Sequence, residues 1–200
     1  MFFGMMEHMA RETGRVVQTE NDISELIRND PWRMKVLHAA EQLDLPDWWI
    51  GAGFLRNIIW DALEGNPPEP PRDVDLVYFD AQDLAPETDW AYDEQMRASL
   101  PNTEWEIRNQ ARMHYVNKFP PFHSTKDGIS HWVETATCVG VKLEKERLEY
   151  IFCYGTDDLI GLIARPIPDF RSPGRLPEFY KRVEDKKWRE RWPHLRVEVE

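Results

Sequence analysis

Four prolines fall within seven residues, Asn66-Pro67-Pro68-Glu69-Pro70-Pro71-Arg72. A proline has no backbone N–H and pushes the residue before it towards extended geometry. This stretch can therefore be neither helix interior nor central strand; it is a loop, and its flanks must be joined across it. On one flank Phe54, Leu55, Ile58, Ile59, Ala62 and Leu63 recur at helical spacing and stop at Gly65. Ahead of that helix, Trp48-Trp49-Ile50 reads as a buried strand running into Gly51-Ala52-Gly53. On the other flank, Asp73 to Asp80 carries Val74, Leu76, Val77, Tyr78 and Phe79, the bulk of a strand. Strand, glycine-containing turn, helix, loop and strand follow in that order.

The remaining pattern surrounds this unit. Asn21-Asp22 and Asp30-Pro31 read as helix starts, the second helix carrying Trp32, Val36, Leu37, Ala40 and Leu43 and ending near Leu45-Pro46. A helix is expected around Asp89–Leu100, then a half-buried strand at Trp105-Glu106-Ile107-Arg108. Ser124-Thr125-Lys126-Asp127 has the form of a helix cap. Thr135–Leu143 and Leu148–Tyr154 flank a charged turn as a hairpin does, and Asp157–Ala164 and Pro177–Trp192 read as helices. The expected class is α+β: a mixed β-sheet with helices packed on it, plus a C-terminal hairpin and helical extension. The expected organisation is a loose extension over 1–20, a main domain over 21–165, and a helical extension over 166–200 packed on that domain.

Charge limits the partners. The net charge is −11, but residues 171–200 hold nine Lys/Arg against six Asp/Glu. Residues 1–170 are left with 16 basic and 30 acidic side chains, a charge of −14. Such a body repels long polyanions, so DNA binding is not expected. Small nucleotides delivered with a divalent cation are less affected. No apolar run approaches the roughly 18 residues of a membrane span. The two cysteines, Cys138 and Cys153, lack CxxC spacing, so neither a disulfide framework nor a zinc site is expected, and the cytoplasm is the expected location.

Asp73-Val74-Asp75 is the informative triplet. Side chains two apart on a strand share a face, so both carboxylates converge while Val74 turns to the core. Adjacent carboxylates repel unless a proton or a cation lies between them, and a hard ion such as Mg²⁺ suits oxygen ligands of this kind. Upstream, the turn at Gly51, Ala52 and Gly53 opens a helix whose exposed N–H groups and dipole favour anions. Arg56 in its first turn could fork onto a phosphate, and Asn57 follows it. Glu106, bracketed by core-facing Trp105 and Ile107, is the candidate third carboxylate, with Glu104 of the same parity as the alternative. Asn109, Gln110, Arg112 and His114 form a polar cluster after that strand, suited either to a pocket or to capping a turn. Trp60 falls on the less apolar side of its helix and could pack beside the site. The remaining histidines show no ligand spacing. The basic residues near the C-terminus, Arg182 and Lys186 among them, read as a solvated helix face.

Together these residues resemble the active-site pattern of the nucleotidyltransferase superfamily that includes DNA polymerase β and the CCA-adding enzymes. Ala52-Gly53-Phe54-Leu55-Arg56-Asn57 stands where CCA-adding enzymes have Gly-Gly-x-Val-Arg-Asp, and Asp73-Val74-Asp75 where they have Asp-x-Asp. Ala52 replaces the first glycine, Asn57 replaces the aspartate, and the spacer to Asp73 is longer. Over residues 22–195 the chain also resembles a bacterial nucleotidyltransferase-like family. The stretches that carry this include Leu45-Pro46-Asp47-Trp48-Trp49, Asn109-Gln110-Ala111-Arg112-Met113-His114 and Tyr154-Gly155-Thr156-Asp157-Asp158-Leu159.

The resemblance implies transfer of a nucleoside monophosphate from a nucleoside triphosphate such as ATP to an acceptor hydroxyl, with release of pyrophosphate. Asp73, Asp75 and Glu106 would bind Mg²⁺ or Mn²⁺, while Gly51, Ala52, Gly53, Arg56, Asn57, Asn109 and Arg112 would contact the nucleotide. The acceptor, whether protein, RNA or small molecule, is left open. Two other functions stay compatible with the same residues: a nucleotide-binding or partner-regulating protein without transfer, and a metal-dependent phosphohydrolase.

Overall fold

The computed structural model describes residues 16–116 and 118–200. Helices α1 (Glu20–Arg28) and α2 (Pro31–Glu41) open the fold, each fixed by its own cap. Thr19 and Asp22 form a reciprocal capping box on α1, so the helix begins slightly before Asn21-Asp22. Val17 is buried in the core, and most of the expected N-terminal extension lies outside the described residues. Asp30 caps α2 through the Arg33 N–H, with Pro31 in the first turn where its missing donor costs nothing. Strand β1 (Trp49–Gly51) then turns at Ala52 into α3 (Gly53–Glu64), which ends on Gly65 at φ 73°.

After the proline loop come β2 (Val74–Tyr78), α4 (Pro86–Ser99) and β3 (Trp105–Asn109). Two short helices follow, α5 (Gln110–Met113) and α6 (Thr125–Ser130), and then the hairpin of β4 (Val139–Glu144) and β5 (Arg147–Phe152). The five strands form one mixed sheet in the order β3-β2-β1-β4-β5. β2 and β3 are parallel; β1 is antiparallel to both β2 and β4, and β4 to β5. The class is α+β, with helices packed on a mixed sheet.

The C-terminal part departs from the expected helices. Asp157–Ala164 contains only one helical turn, α7 (Asp157–Ile160); Leu162 then adopts φ 51° and the chain enters β6 (Ile163–Ala164). β6 pairs in parallel with β7 (Arg196–Val197) in a small second sheet. Pro177–Trp192 is two helices, α8 (Leu176–Asp185) and α9 (Trp188–Arg191), broken where Lys187 takes φ 51°. Apolar residues continue past both breaks, so each stretch reads as one helix, although Trp188 and Trp192 fall about half a turn out of phase with Phe179 and Val183.

The break turns Trp188 and Trp192 inwards. Both stack edge-on against Trp60, at 5.7 and 5.0 Å between ring centres, and the Trp60 indole donates to the Leu159 carbonyl. Trp60 is thus fully buried core, not a residue at the edge of a site. Next to it the buried Asp61 carboxylate accepts two hydrogen bonds from Arg191, at 3.0 and 2.6 Å, and one from the Trp192 indole at 2.9 Å. A second buried charge, Arg33, holds the proline loop in place. It pairs with Asp30 and donates to the carbonyls of Phe54 and Glu69, so α2, the start of α3 and the loop share one guanidinium.

Two outcomes follow for stability. Arg191→Met strands the Asp61 carboxylate inside the fold and should cost about 3 kcal/mol, measured by urea unfolding, whereas adding Asp61→Asn should restore part of that loss. Ala52 sits at φ 51°, ψ −123°, a conformation open to glycine and strained for other residues. Ala52→Gly should therefore raise the unfolding free energy by about 1 kcal/mol.

Candidate functional site

The pairing of β2 with β3 sets the site. Asp75 lies directly opposite Glu106, and Val77 opposite Arg108, while Leu76 and Ile107 pair on the buried face. Adjacent strands run about 4.8 Å apart, so the two carboxylates are next neighbours on one face. Asp73 precedes β2 by one residue and shares its parity with Asp75; beside it, the Glu104 carbonyl accepts the Val74 N–H at 2.8 Å. A cleft of about 380 Å³ lies over this face, and Ala52, Asp75, Val77, Glu106 and Arg108 contribute to its wall. A smaller hollow on the β3 side, about 330 Å³, holds Arg72, Asp73, Glu104, Glu106 and Arg108. Glu106 borders both.

The carboxylates repel one another. Burial raises the Asp75 carboxyl to about 6, and the charges of Asp73 and Glu106 push it the same way. Among the described residues no three His, Cys, Asp or Glu side chains stand close enough to hold a metal ion as they are. The donor chemistry nevertheless fits a hard divalent cation: every donor is a carboxylate oxygen, and their mutual charge is what such an ion would neutralise.

The β1–α3 corner borders the same face. Gly51 lies under the Trp132 indole; a Cβ there would come within 2.4 Å of that ring, so packing inside the protein demands glycine. Ala52 faces the cleft, held by hydrogen bonds from its N–H to the Val139 carbonyl and from the Arg56 N–H to its own carbonyl. At Gly53 a Cβ would meet nothing closer than 3.5 Å, so the fold itself does not require glycine there. Arg56 is buried rather than forked into the cleft. Its terminal nitrogens donate to Thr137 and Asn57, and it lies 4.5 Å from the Trp188 ring centre. Burial lowers its pKa to about 10; Glu134 opposes that shift, Arg182 adds to it, and Asp75 and Asp73 oppose it.

Asn109 and Arg112 turn to the other side of β3. Asn109 caps α5 through the Ala111 N–H and donates to the carbonyls of Asp80 and Asp83, while Arg112 pairs with the buried Asp89. Gln110, from the same polar cluster, lines the cleft. So do residues that the sequence reading set aside: His131 and Arg182, together with the apolar Phe119, Phe122 and Trp132. Arg182 had a signal, since Glu178, Arg182 and Lys186 recur at i, i+4 on one helix face. The aromatic wall had none, because its members are brought together by the turns around α5 and α6.

A family model described as a nucleotidyltransferase matches residues 38–197. Among solved structures, an NMR structure described as revealing a CCA-adding enzyme head domain superposes with a TM-score of 0.83 at 30% identity, covering 94% of this chain and 100% of that one. A Thermotoga maritima CCA-adding enzyme complexed with tRNA gives a TM-score of 0.56 at 16% identity, and a CCA-adding enzyme with ATP gives 0.51 at 16%. Each of these two matches covers 88% of this chain but only 42% of the larger enzyme, a likeness of fold. No curated protein matches. Among the described residues, no helix is long and apolar enough to cross a membrane. The match over 38–197 and the shared head-domain fold settle the family: the chain belongs to the nucleotidyltransferases.

Proposed function

We propose that this protein transfers a nucleoside monophosphate from a nucleoside triphosphate, ATP first among them, to an acceptor hydroxyl, and that it works in the cytoplasm. In this reaction the acceptor oxygen bonds to the α-phosphorus as the α–β phosphoanhydride breaks and pyrophosphate leaves. The observation that carries the reading is the register of Asp75 with Glu106 in a cleft that also reaches Ala52, at the start of α3.

The roles follow from position. Asp73, Asp75 and Glu106 would hold Mg²⁺ or Mn²⁺; such an ion, when bound, would activate the acceptor oxygen and steady the charge of the leaving pyrophosphate. The free N–H groups of the first turn of α3, at Gly53, receive phosphate oxygens. Trp132, Phe119 and Phe122 keep water from the reacting phosphorus, which favours transfer over hydrolysis. The extension over 166–200 belongs to the same working unit as residues 21–165. An RNA 3′ hydroxyl is the first acceptor to test, since a structural neighbour is complexed with tRNA, followed by protein and small-molecule hydroxyls.

The spacing of the carboxylates favours one second reading, a nucleotide-binding regulator that performs no transfer. Pyrophosphate release over a broad acceptor panel separates the two. Binding of ATP without release under any condition would select the regulator.

Asp75→Asn should abolish pyrophosphate release while leaving the circular dichroism spectrum unchanged. Without metal, the raised Asp75 carboxyl means the folded state binds more protons than the unfolded state between pH 4 and 6. Stability contributed below pH 4 is then lost as pH rises through 6, by about 3 kcal/mol, and Asp75→Asn should flatten that slope. Added Mg²⁺ should raise the melting temperature of the parent protein at pH 7 and not that of Asp75→Asn. Gly53→Ala should change stability by less than about 0.5 kcal/mol yet weaken ATP binding in calorimetry, because the methyl group, directed towards Asn57 and Pro71, would crowd a phosphate approaching the helix start.

A further inference from the structure

Glu134 is fully buried, and an ionised carboxylate in that position is costly unless it is compensated. Its compensation comes from across the fold: Nε of Arg182, on α8, lies 2.8 Å from one carboxylate oxygen. The contact is ionic, since neither oxygen receives a well-aligned hydrogen bond from a side chain or backbone. Pairing through Nε uses the inner edge of the guanidinium. The two terminal nitrogens meet no acceptor among the described residues, and the side chain, 35% exposed, lines the cleft over Asp75. Arg108, the other cleft arginine, is instead drawn to Asp93 at 2.8 Å.

An arginine anchored at Nε with its fork free is pre-organised for a second anion, because little side-chain entropy is left to lose. The surroundings say which anion. Lys186 follows Arg182 by one helical turn, and the charges of both reach Asp75. The fields of Arg182 and Glu134 also reach Arg56 in the first turn of α3. Arg182 therefore brings a positive charge into a cleft wall that also carries Asp75, Glu106 and Glu178.

We infer that Arg182, assisted by Lys186, binds the terminal phosphates of the nucleoside triphosphate, and that Glu134 is the positioning residue that aims it. The inference rests on the nucleotide reading of the cleft given above and adds the C-terminal helix to the site. It also separates the terminal phosphates from the rest of the nucleotide: AMP lacks the groups that Arg182 would meet, while inorganic tripolyphosphate has them.

Calorimetry with ATP, tripolyphosphate, AMP and a short single-stranded RNA tests it on the parent protein and on Arg182→Gln, Arg182→Lys and Glu134→Gln. Arg182→Gln should weaken ATP and tripolyphosphate by about 10- to 100-fold, the range of a lost charged hydrogen bond, and leave AMP within about 2-fold. Arg182→Lys should recover part of the affinity, and Glu134→Gln should weaken ATP with the same sparing of AMP. If Glu134→Gln does not fold, the Arg182 pair decides alone. Parent protein that binds neither ATP nor tripolyphosphate overturns the nucleotide reading itself. Parent protein that binds ATP, with Arg182→Gln binding it equally well, overturns only the role of Arg182. Equal loss for ATP and AMP marks a structural effect, and a loss confined to RNA assigns the arginine to an acceptor phosphate; either outcome overturns the inference.

Discussion

The parallel pairing of β2 with β3 is the constraint on which everything else depends. A strand has a side-chain period of two, so a slip of one residue would send Asp75 into the core and Leu76 into the cleft. Leu76 and Ile107 prevent that slip, since both are fully buried on the opposite face. The apolar packing of one face thereby fixes the acidic chemistry of the other. The proline loop contributes at a distance: Arg33 holds its Glu69 carbonyl against α2 and the start of α3, close to where β2 begins.

Buried charge recurs through this molecule. Arg33, Arg56, Asp61 and Glu134 are all removed from water, and each meets partners from distant parts of the sequence. Such pairs add little net stability over well-packed apolar residues, but each punishes misassembly, because a lone buried charge costs several kcal/mol. Two of these charges, Arg56 and Asp61, lie where α9 meets α3. The C-terminal segment is placed by Asp61 and by the stacked indoles of Trp60, Trp188 and Trp192. That placement brings Arg182 to the cleft.

Much of this was legible in the sequence. The loop at 66–72, the amphipathic helix before it and the alternation around Asp75 and Glu106 are local signals, and the sheet face they describe is the one found. What stayed hidden depends on long-range contact. Arg56 looked like a phosphate ligand because it sits in the first turn of α3, yet Trp188, more than a hundred residues away, draws it inwards. Asn109 and Arg112 looked like pocket residues, but parity along β3 turns Asn109 to the far side, where the Asp80 and Asp83 carbonyls receive it, and Arg112, in the helix that follows, pairs there with Asp89. Arg182 read as one more surface cation: its spacing with Glu178 and Lys186 marks a helix face, but nothing in α8 announces a buried glutamate waiting elsewhere. The breaks at Leu162 and Lys187 follow from left-handed backbone at non-glycine residues, which composition does not encode.

The fold finishes its cleft late. Strands β1, β2 and β3 are synthesised before residue 110, whereas the helix that overhangs them begins at Leu176. A nascent chain that has emerged only through the hairpin would already contain its acidic face but would lack the tryptophans that cover Trp60 and the cation that faces Asp75. Folding order on the ribosome thus becomes a form of timing: the polypeptide cannot assemble the complete basin until its final helices dock, and proteolytic trimming behind the hairpin would return it to that unfinished condition.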